Sequence, residues 1–355
     1  MNNLEGGAAG LAVASGAAAL LTTILTICKA GDHIVSSKSI YGGSYSLLVN
    51  TFAQFGVETT FVDQDASYDE LCKAFRPNTK ILFAEVIGNP KVNVLDCEKF
   101  ARLAQTHQVP FVVDSTFTPP NLFKAIKHGA HIVIHSATKY LGGHGNALGG
   151  VIVDAGTFDW SNGKFQDFCT PSSAYHGLVF TQAFGNLAFI LKARAHVLRD
   201  TGSSLGAFEA FLILQGIQTL HVRLDYVSKN ALELARWLEK HPKVDWVSYP
   251  LLESHPDYQR AKKYFPEGAG GILAFGLKGN REDSKRFINN IKVGIHAVNV
   301  GDVRTIVTHP ASTTHRQSPA EDLQALGITE GFIRISLGLE HLDDIKEDIA
   351  QALGE

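Results

Sequence analysis

With 32 Lys and Arg against 35 Asp and Glu in 355 residues, the chain has a formal net charge of −3, which argues against a nucleic-acid or anionic-membrane binder. Hydrophobic residues make up 45% and charged residues 19%, so the sequence can bury a large core in two domains and is not disordered. Its four cysteines (Cys28, Cys72, Cys97 and Cys169) stand apart, with no CxxC pair and no grouping with histidine. They read as free thiols of a reducing, cytoplasmic interior, with no metal site.

The stretch Ala8 to Cys28 carries no charged residue, yet it is rich in Ala, Gly, Ser and Thr and is interrupted by Ser15-Gly16. Glu5 rather than a basic cluster precedes it, so it reads as buried helix, running from Ala17 to Cys28, and not as a membrane span or leader. Short apolar strands then alternate with helices: strand 33–36, helix 45–55, strand 59–63, helix 68–75, strand 80–86, helix 97–106, strand 110–114, helix 122–128, strand 131–135 and strand 150–154. This alternation predicts an α/β fold with a mainly parallel sheet sandwiched by helices. Residues 157–177 read as loop. Long helices at 184–199 and 206–238, strands at 244–249, 271–277, 295–300 and 332–337, and helices at 282–291 and 342–353 predict a smaller α+β domain. The expected division is 1–220 and 221–355. His131 and His135 share a face of one strand about 13 Å apart, and read as structural rather than as ligands.

Ligands of such sheets bind beyond the carboxyl ends of the strands, where Asn89, Asp114 and Lys139 fall. Lys139 closes Ser136-Ala137-Thr138-Lys139 after the run 131–135. It reads as a catalytic amine, an anion ligand or a solvated charge. Ser15-Gly16-Ala17 begins a helix and offers free amides to an anion, or is an ordinary cap. Tyr41-Gly42-Gly43 is a ring platform or a turn. Asp114 ends an apolar strand, where an unpaired carboxylate is costly to bury. Taken as one set, these residues supply the four things that pyridoxal phosphate requires: an anion cradle, a stacking ring, a carboxylate for the pyridine nitrogen and an imine-forming lysine. Ser136 and Thr138 add hydroxyls to the cradle. Arg334 follows Phe332-Ile333 in a strand and suits the bidentate grip of a carboxylate, or a structural ion pair.

From Leu4-Glu5-Gly6-Gly7 onward the chain resembles the Cys/Met-metabolism family of fold-type I pyridoxal-phosphate enzymes. The resemblance runs through Ser15-Gly16, Tyr41-Gly42-Gly43, Gly88-Asn89-Pro90, Asp114-Ser115-Thr116, Ser136 to Tyr140, His309 to His315 and Arg334-Ile335-Ser336. Within the family it is most similar to the O-acetylhomoserine sulfhydrylases, on Asn299 to Asp302 and Pro310 to His315. The resemblance implies that Lys139 is the Schiff-base lysine, Asp114 pairs with the pyridine nitrogen, Tyr41 stacks on the ring and Asn89 bonds the ring hydroxyl. It also implies that Ser15, Gly16, Ala17, Thr116, Ser136 and Thr138 belong to the cofactor site, and that Arg334 and Asn299 hold the substrate carboxylate.

The implied reaction replaces the acetyl group of O-acetylhomoserine with sulfide, giving homocysteine, in a homodimer or homotetramer. A cystathionine γ-synthase, a γ-lyase or an inactive relic are the competing expectations. The absence of a cysteine at Gly43 favours the sulfhydrylase over the methionine γ-lyases. A dinucleotide-binding protein is disfavoured, because no GxGxxG follows the first strand. Members of the family carry, before Leu4, a Tyr-x-Arg segment that reaches the neighbouring subunit's phosphate. This sequence starts at Met1-Asn2-Asn3, so loose cofactor binding and weakened association are expected.

Overall fold

The computed structural model describes residues 1–313 and 328–354. The chain forms two compact units. The first contains Met1–Val86, Leu95–Thr138 and Leu148–Phe211; the second contains Ile87–Val94, Lys139–Ala147 and Leu212–Glu355.

The first unit opens with a short helix, α1 (Asn2–Glu5), ended by Gly6 in the left-handed conformation. Strand β1 (Ala9–Val13) and helix α2 (Gly16–Ile27) follow. The helix expected from Ala17 to Cys28 is α2, whereas strand β1 before it was not foreseen. Small residues hid the strand: Leu11 and Val13 point inward while Ala12 is exposed, but Ala and Gly between them blur the alternation. Ser15 separates the two elements, because its side chain caps α2 by accepting from the Ala18 amide at 3.0 Å.

The remaining strands are β2 (His33–Ser37), β3 (Glu58–Val62), β4 (Thr79–Glu85), β5 (Phe111–Asp114), β6 (Ile132–Ser136) and β7 (Gly150–Asp154). They form one sheet in the order β1-β7-β6-β5-β4-β2-β3. Strands β3, β2, β4, β5 and β6 run parallel, and β7 runs antiparallel to both β6 and β1. Register decides what gathers at the carboxyl ends. Glu85 of β4 lies opposite Asp114 of β5, which in turn lies opposite Ile134 of β6. Helix α2 covers one face, where Leu20, Ile24 and Ile27 pack in a core with Ile132, Ile134 and Ile152. On the opposite face His135 is buried and its Nε2 donates to Glu5 at 2.5 Å. The Glu5-Gly6-Gly7 sequence explains this approach. Gly6 turns the chain, and a Cβ on Gly7 would lie 2.4 Å from Val153 Cγ1. His131 is structural as expected, with Nδ1 accepting the Phe111 amide at 3.0 Å.

The second unit holds the sheet β10-β11-β12-β9-β8, formed by β8 (Val244–Ser248), β9 (Ile272–Leu277), β10 (Ile295–His296), β11 (Ile306–Thr308) and β12 (Phe332–Ser336). The strand expected at 295–300 shrinks to two residues, and β11 was not foreseen. The long helix expected at 206–238 is two helices, Ala207–Gln218 and Leu220–Glu239. Gly216 packs against the backbone at Gly142, where a Cβ would meet the carbonyl oxygen at 2.1 Å. In the last helix, Leu342–Leu353, the Asp348 carboxylate accepts the amides of Lys292, Val293 and Gly294 at 2.8, 2.9 and 3.0 Å. That grip fixes the turn leading to β10 and Asn299. No described helix is long and apolar enough to cross a membrane.

Candidate active site

In the first unit the first turn of α2 presents free amides that could hold an anion. Ser15 satisfies the Ala18 amide and, through its carbonyl, the Ala19 amide. The Gly16 and Ala17 amides meet no acceptor among the described residues. The helix dipole and these two donors favour an anion there. Gly16 is needed because a Cβ would stand 2.7 Å from Ser136 Cβ. Gly150 is needed for a related reason, since its Cβ would reach 2.0 Å from the Ser15 oxygen. Thr116 joins two strand ends: its amide donates to Asp114 Oδ1 at 2.8 Å, and its hydroxyl accepts the Ser136 amide at 2.8 Å. The Ser136 hydroxyl is left without a partner among the described residues. The Thr138 hydroxyl is engaged with Gly149, accepting its amide at 3.1 Å.

Asp114 pairs with no cation among the described residues. Burial pushes its carboxyl above the ordinary value, against the hydrogen bonds from Thr116 and the nearby His135. Glu85, its strand neighbour, is pushed further up, by burial and then by the Asp114 charge. Two buried carboxyls on adjacent strands cannot both ionise cheaply. Glu85 also accepts the Tyr41 amide at 2.7 Å. The Tyr41 ring is 56% exposed and lies over Gly43, where a Cβ would come within 2.3 Å of Cε1. Glu85 is the functional candidate that sequence reasoning missed. A second carboxylate ending an apolar strand, four residues before Asn89, was the available signal.

In the second unit Lys139 donates from Nζ to Asn299 Oδ1. Burial, and then the Arg334 guanidinium, pull its amine down from the usual 10.5 to about 8. Asn299 is placed by the turn after it. Gly301 has φ +71° and packs on Tyr140, where a Cβ would lie 2.7 Å from the backbone nitrogen. The Gly301 amide donates to Ser336 at 2.8 Å, and Asp302 holds Arg304 through two side-chain bonds of 3.0 and 2.9 Å. Arg334 is buried on β12 and donates to Asn89 Oδ1 at 2.9 Å and to the Val298 carbonyl at 3.3 Å. The sequence-predicted residues thus fall into two groups. Ser15, Gly16, Ala17, Tyr41, Asp114, Thr116, Ser136 and Thr138 belong to the first unit; Asn89, Lys139, Asn299 and Arg334 belong to the second. Of the His309 to His315 motif, Thr314 and His315 lie outside the described residues.

A model of the Cys/Met metabolism PLP-dependent enzymes matches residues 1–354. The chain belongs to that family. It is 45% identical to an O-acetyl-L-homoserine sulfhydrylase of Leptospira meyeri, over 99% of this chain and 81% of the relative. It is 47% identical to a homocysteine synthase of Schizosaccharomyces pombe, over 99% of this chain and 82% of the relative. A crystal structure described as an O-acetylhomoserine (thiol)-lyase of Campylobacter jejuni, with N'-pyridoxyl-lysine-5'-monophosphate, superposes with a TM-score of 0.96 at 38% identity, covering 99% of this chain and 84% of that one. This Cys/Met metabolism enzyme therefore has fold type I, with the mainly parallel sheet expected of it, and depends on pyridoxal phosphate.

The residues fit that group. Two amides and a hydroxyl without partners among the described residues suit a phosphate, and a buried carboxyl pair with no cation paired to it among those residues suits a protonated ring nitrogen. An amine brought down to about 8 suits attachment to an aldehyde.

Proposed function

We propose that this enzyme replaces the acetyl group of O-acetylhomoserine with sulfide, giving homocysteine and acetate. The observation that carries this reading is its similarity, over 99% of the chain, to an O-acetyl-L-homoserine sulfhydrylase. In this reading the Gly16 and Ala17 amides and the Ser136 hydroxyl bind the cofactor phosphate, with Ser15 holding the turn. Thr138 joins them by exchanging its bond to Gly149. Asp114 keeps the ring nitrogen protonated, with Thr116 orienting its carboxylate. Tyr41 stacks on the ring, and Asn89 bonds the ring hydroxyl.

When bound, pyridoxal phosphate supplies an electron sink for carbanion chemistry at the substrate. Lys139 would hold it covalently until the substrate amine takes that place. The Lys139 Nζ would then take the proton from Cα and move protons at Cβ, so that acetate leaves Cγ and sulfide adds there. An amine near 8 suits a group that must give and take protons near neutrality. Arg334 grips the substrate carboxylate, assisted by Asn299, whose side-chain NH2 donates to it while its oxygen is released by Lys139 as the lysine moves.

A homodimer or homotetramer is part of the same reading. Phe208, Phe211 and Leu214, exposed at three-residue spacing on one helix, support association with a second copy. Cytoplasmic location is supported by four free cysteines. A substrate panel tests the activity: O-acetylhomoserine, O-succinylhomoserine, cystathionine and methionine, each with and without sulfide. Homocysteine formation from O-acetylhomoserine and sulfide should be fastest. Faster conversion of methionine to an oxoacid would overturn the reading in favour of a γ-lyase.

A further inference from the structure

The carboxyl of Glu85 is not assigned by the roles above, yet it sits beside two of the residues that have them. Parallel pairing sets Glu85 opposite Asp114, so both side chains leave the same face of adjacent strands at their carboxyl ends. Glu85 is only 6% exposed, too buried to serve as a solvated surface charge. Among the described residues it meets no cation. Among those residues it accepts a hydrogen bond from the main chain of Tyr41, whose amide donates to it at 2.7 Å.

That amide has no other acceptor within reach of its own helix. Tyr41 is the N-cap of helix α3 (Gly42–Ser46), and its carbonyl accepts the Tyr45 amide at 2.9 Å. No side chain caps this helix start. Glu85 therefore ties the entry of α3 to the end of β4. The Tyr41 ring is steered from the other side by Gly43, which leaves no room for a Cβ beneath it. Backbone tether and glycine gap together define where the ring lies. The tether comes from the strand next to Asp114.

We propose that Glu85 is a positioning residue for pyridoxal phosphate, fixing the Tyr41 ring in register with the Asp114 carboxylate. This rests on the roles given above to Tyr41 and Asp114. Glu85 acts as a neutral hydrogen-bond acceptor. A second negative charge beside Asp114 has no compensating cation, and the raised affinity of Glu85 for its proton, from burial and from Asp114, agrees with this. The Tyr41 amide needs only a carbonyl-type oxygen, which protonated Glu and Gln both offer.

The comparison of Glu85→Gln with Glu85→Ala tests this, with pyridoxal phosphate itself as the probe. Titration followed by cofactor absorbance and tryptophan fluorescence gives a Kd for each chain, and thermal melts report folding. Glu85→Gln should bind within about threefold of the parent, since the acceptor remains. Glu85→Ala should bind at least tenfold more weakly and shift the bound cofactor's absorbance maximum. Unchanged affinity and spectrum in Glu85→Ala, with only a lower melting temperature, would leave Glu85 a helix tether and overturn the proposal. Equal damage in Glu85→Gln would overturn it too, by showing that the ionised carboxylate is what matters. Should Glu85→Ala fail to fold, Glu85→Asp carries the same test, because it shortens the reach to the Tyr41 amide by one methylene. A parent chain that binds no pyridoxal phosphate at all would instead sink the functional reading itself.

Discussion

Lys139 is held by Asn299, a neutral side chain, rather than by a carboxylate. A buried amine without an opposing negative charge sheds its proton easily, and Arg334 adds to the push. Borohydride trapping of bound pyridoxal phosphate should therefore place the pyridoxyl group on Lys139, with a labelling rate that rises through about pH 8. The sign for stability follows from the same shift. Between about 8 and the ordinary 10.5 the unfolded chain binds more protons at this group, so its contribution to stability increases with pH across that window. Label on a different lysine would remove Lys139 from its role.

Gly16 faces Ser136 with no space for a methyl group. Gly16→Ala should force the start of α2 away from β6, costing about 1–3 kcal/mol as overpacking does. The two cradle amides move with it. Cofactor affinity should drop by at least an order of magnitude, measured by titration of pyridoxal phosphate into the folded variant. A variant that binds as well as the parent would show that the phosphate sits elsewhere.

Glu5 and His135 form a pair that is almost wholly buried, with the second Glu5 oxygen and His135 Nδ1 meeting no hydrogen-bond partner among the described residues. Removing one partner strands the other, so His135→Ala or Glu5→Ala should each cost about 3–5 kcal/mol in denaturant unfolding. Replacing both with leucine should recover a good part of that loss. Two single variants whose costs simply add would show that the pair is not coupled.

Arg334→Lys keeps the charge and loses the fork. Each charge-assisted bond contributes about 1.5–3 kcal/mol, so KM for O-acetylhomoserine should rise by about tenfold or more with a smaller change in kcat. Steady-state kinetics over a range of substrate decides it; an unchanged KM would assign Arg334 a structural role, through contacts that include Asn89 and Val298.

The candidates that the sequence nominated are local signals. Lys139, Asp114 and Ser15-Gly16 each sit where an apolar run stops, and a stop is visible in one dimension. Thr116 was reachable only through the family resemblance; its bridge between Asp114 and Ser136 needs β5 and β6 side by side. Glu85 escaped for the same reason, since nothing in residues 80–86 says that β5 will pair with them in a register that opposes Asp114. Strand β1 was lost to small residues, whose burial does not show as hydrophobic alternation. The break at Thr219 was not legible, because apolar residues continue on both sides of it. Asn299 was assigned to a strand, whereas the structure sets it in a turn fixed by Gly301 on Tyr140 and by Asp348 far along the chain.

The grip of Asp348 on three successive amides also imposes an order on synthesis. Every strand of the parallel sheet has been made once Asp154 leaves the ribosome. The turn at 292–294 must wait for Asp348, 56 residues after Lys292, before its anchor exists. A nascent chain paused between those points can build its anion cradle, as domains generally fold while translation continues. It cannot yet hold the turn that leads to Asn299, so the segment proposed to grip the substrate is the last part to mature.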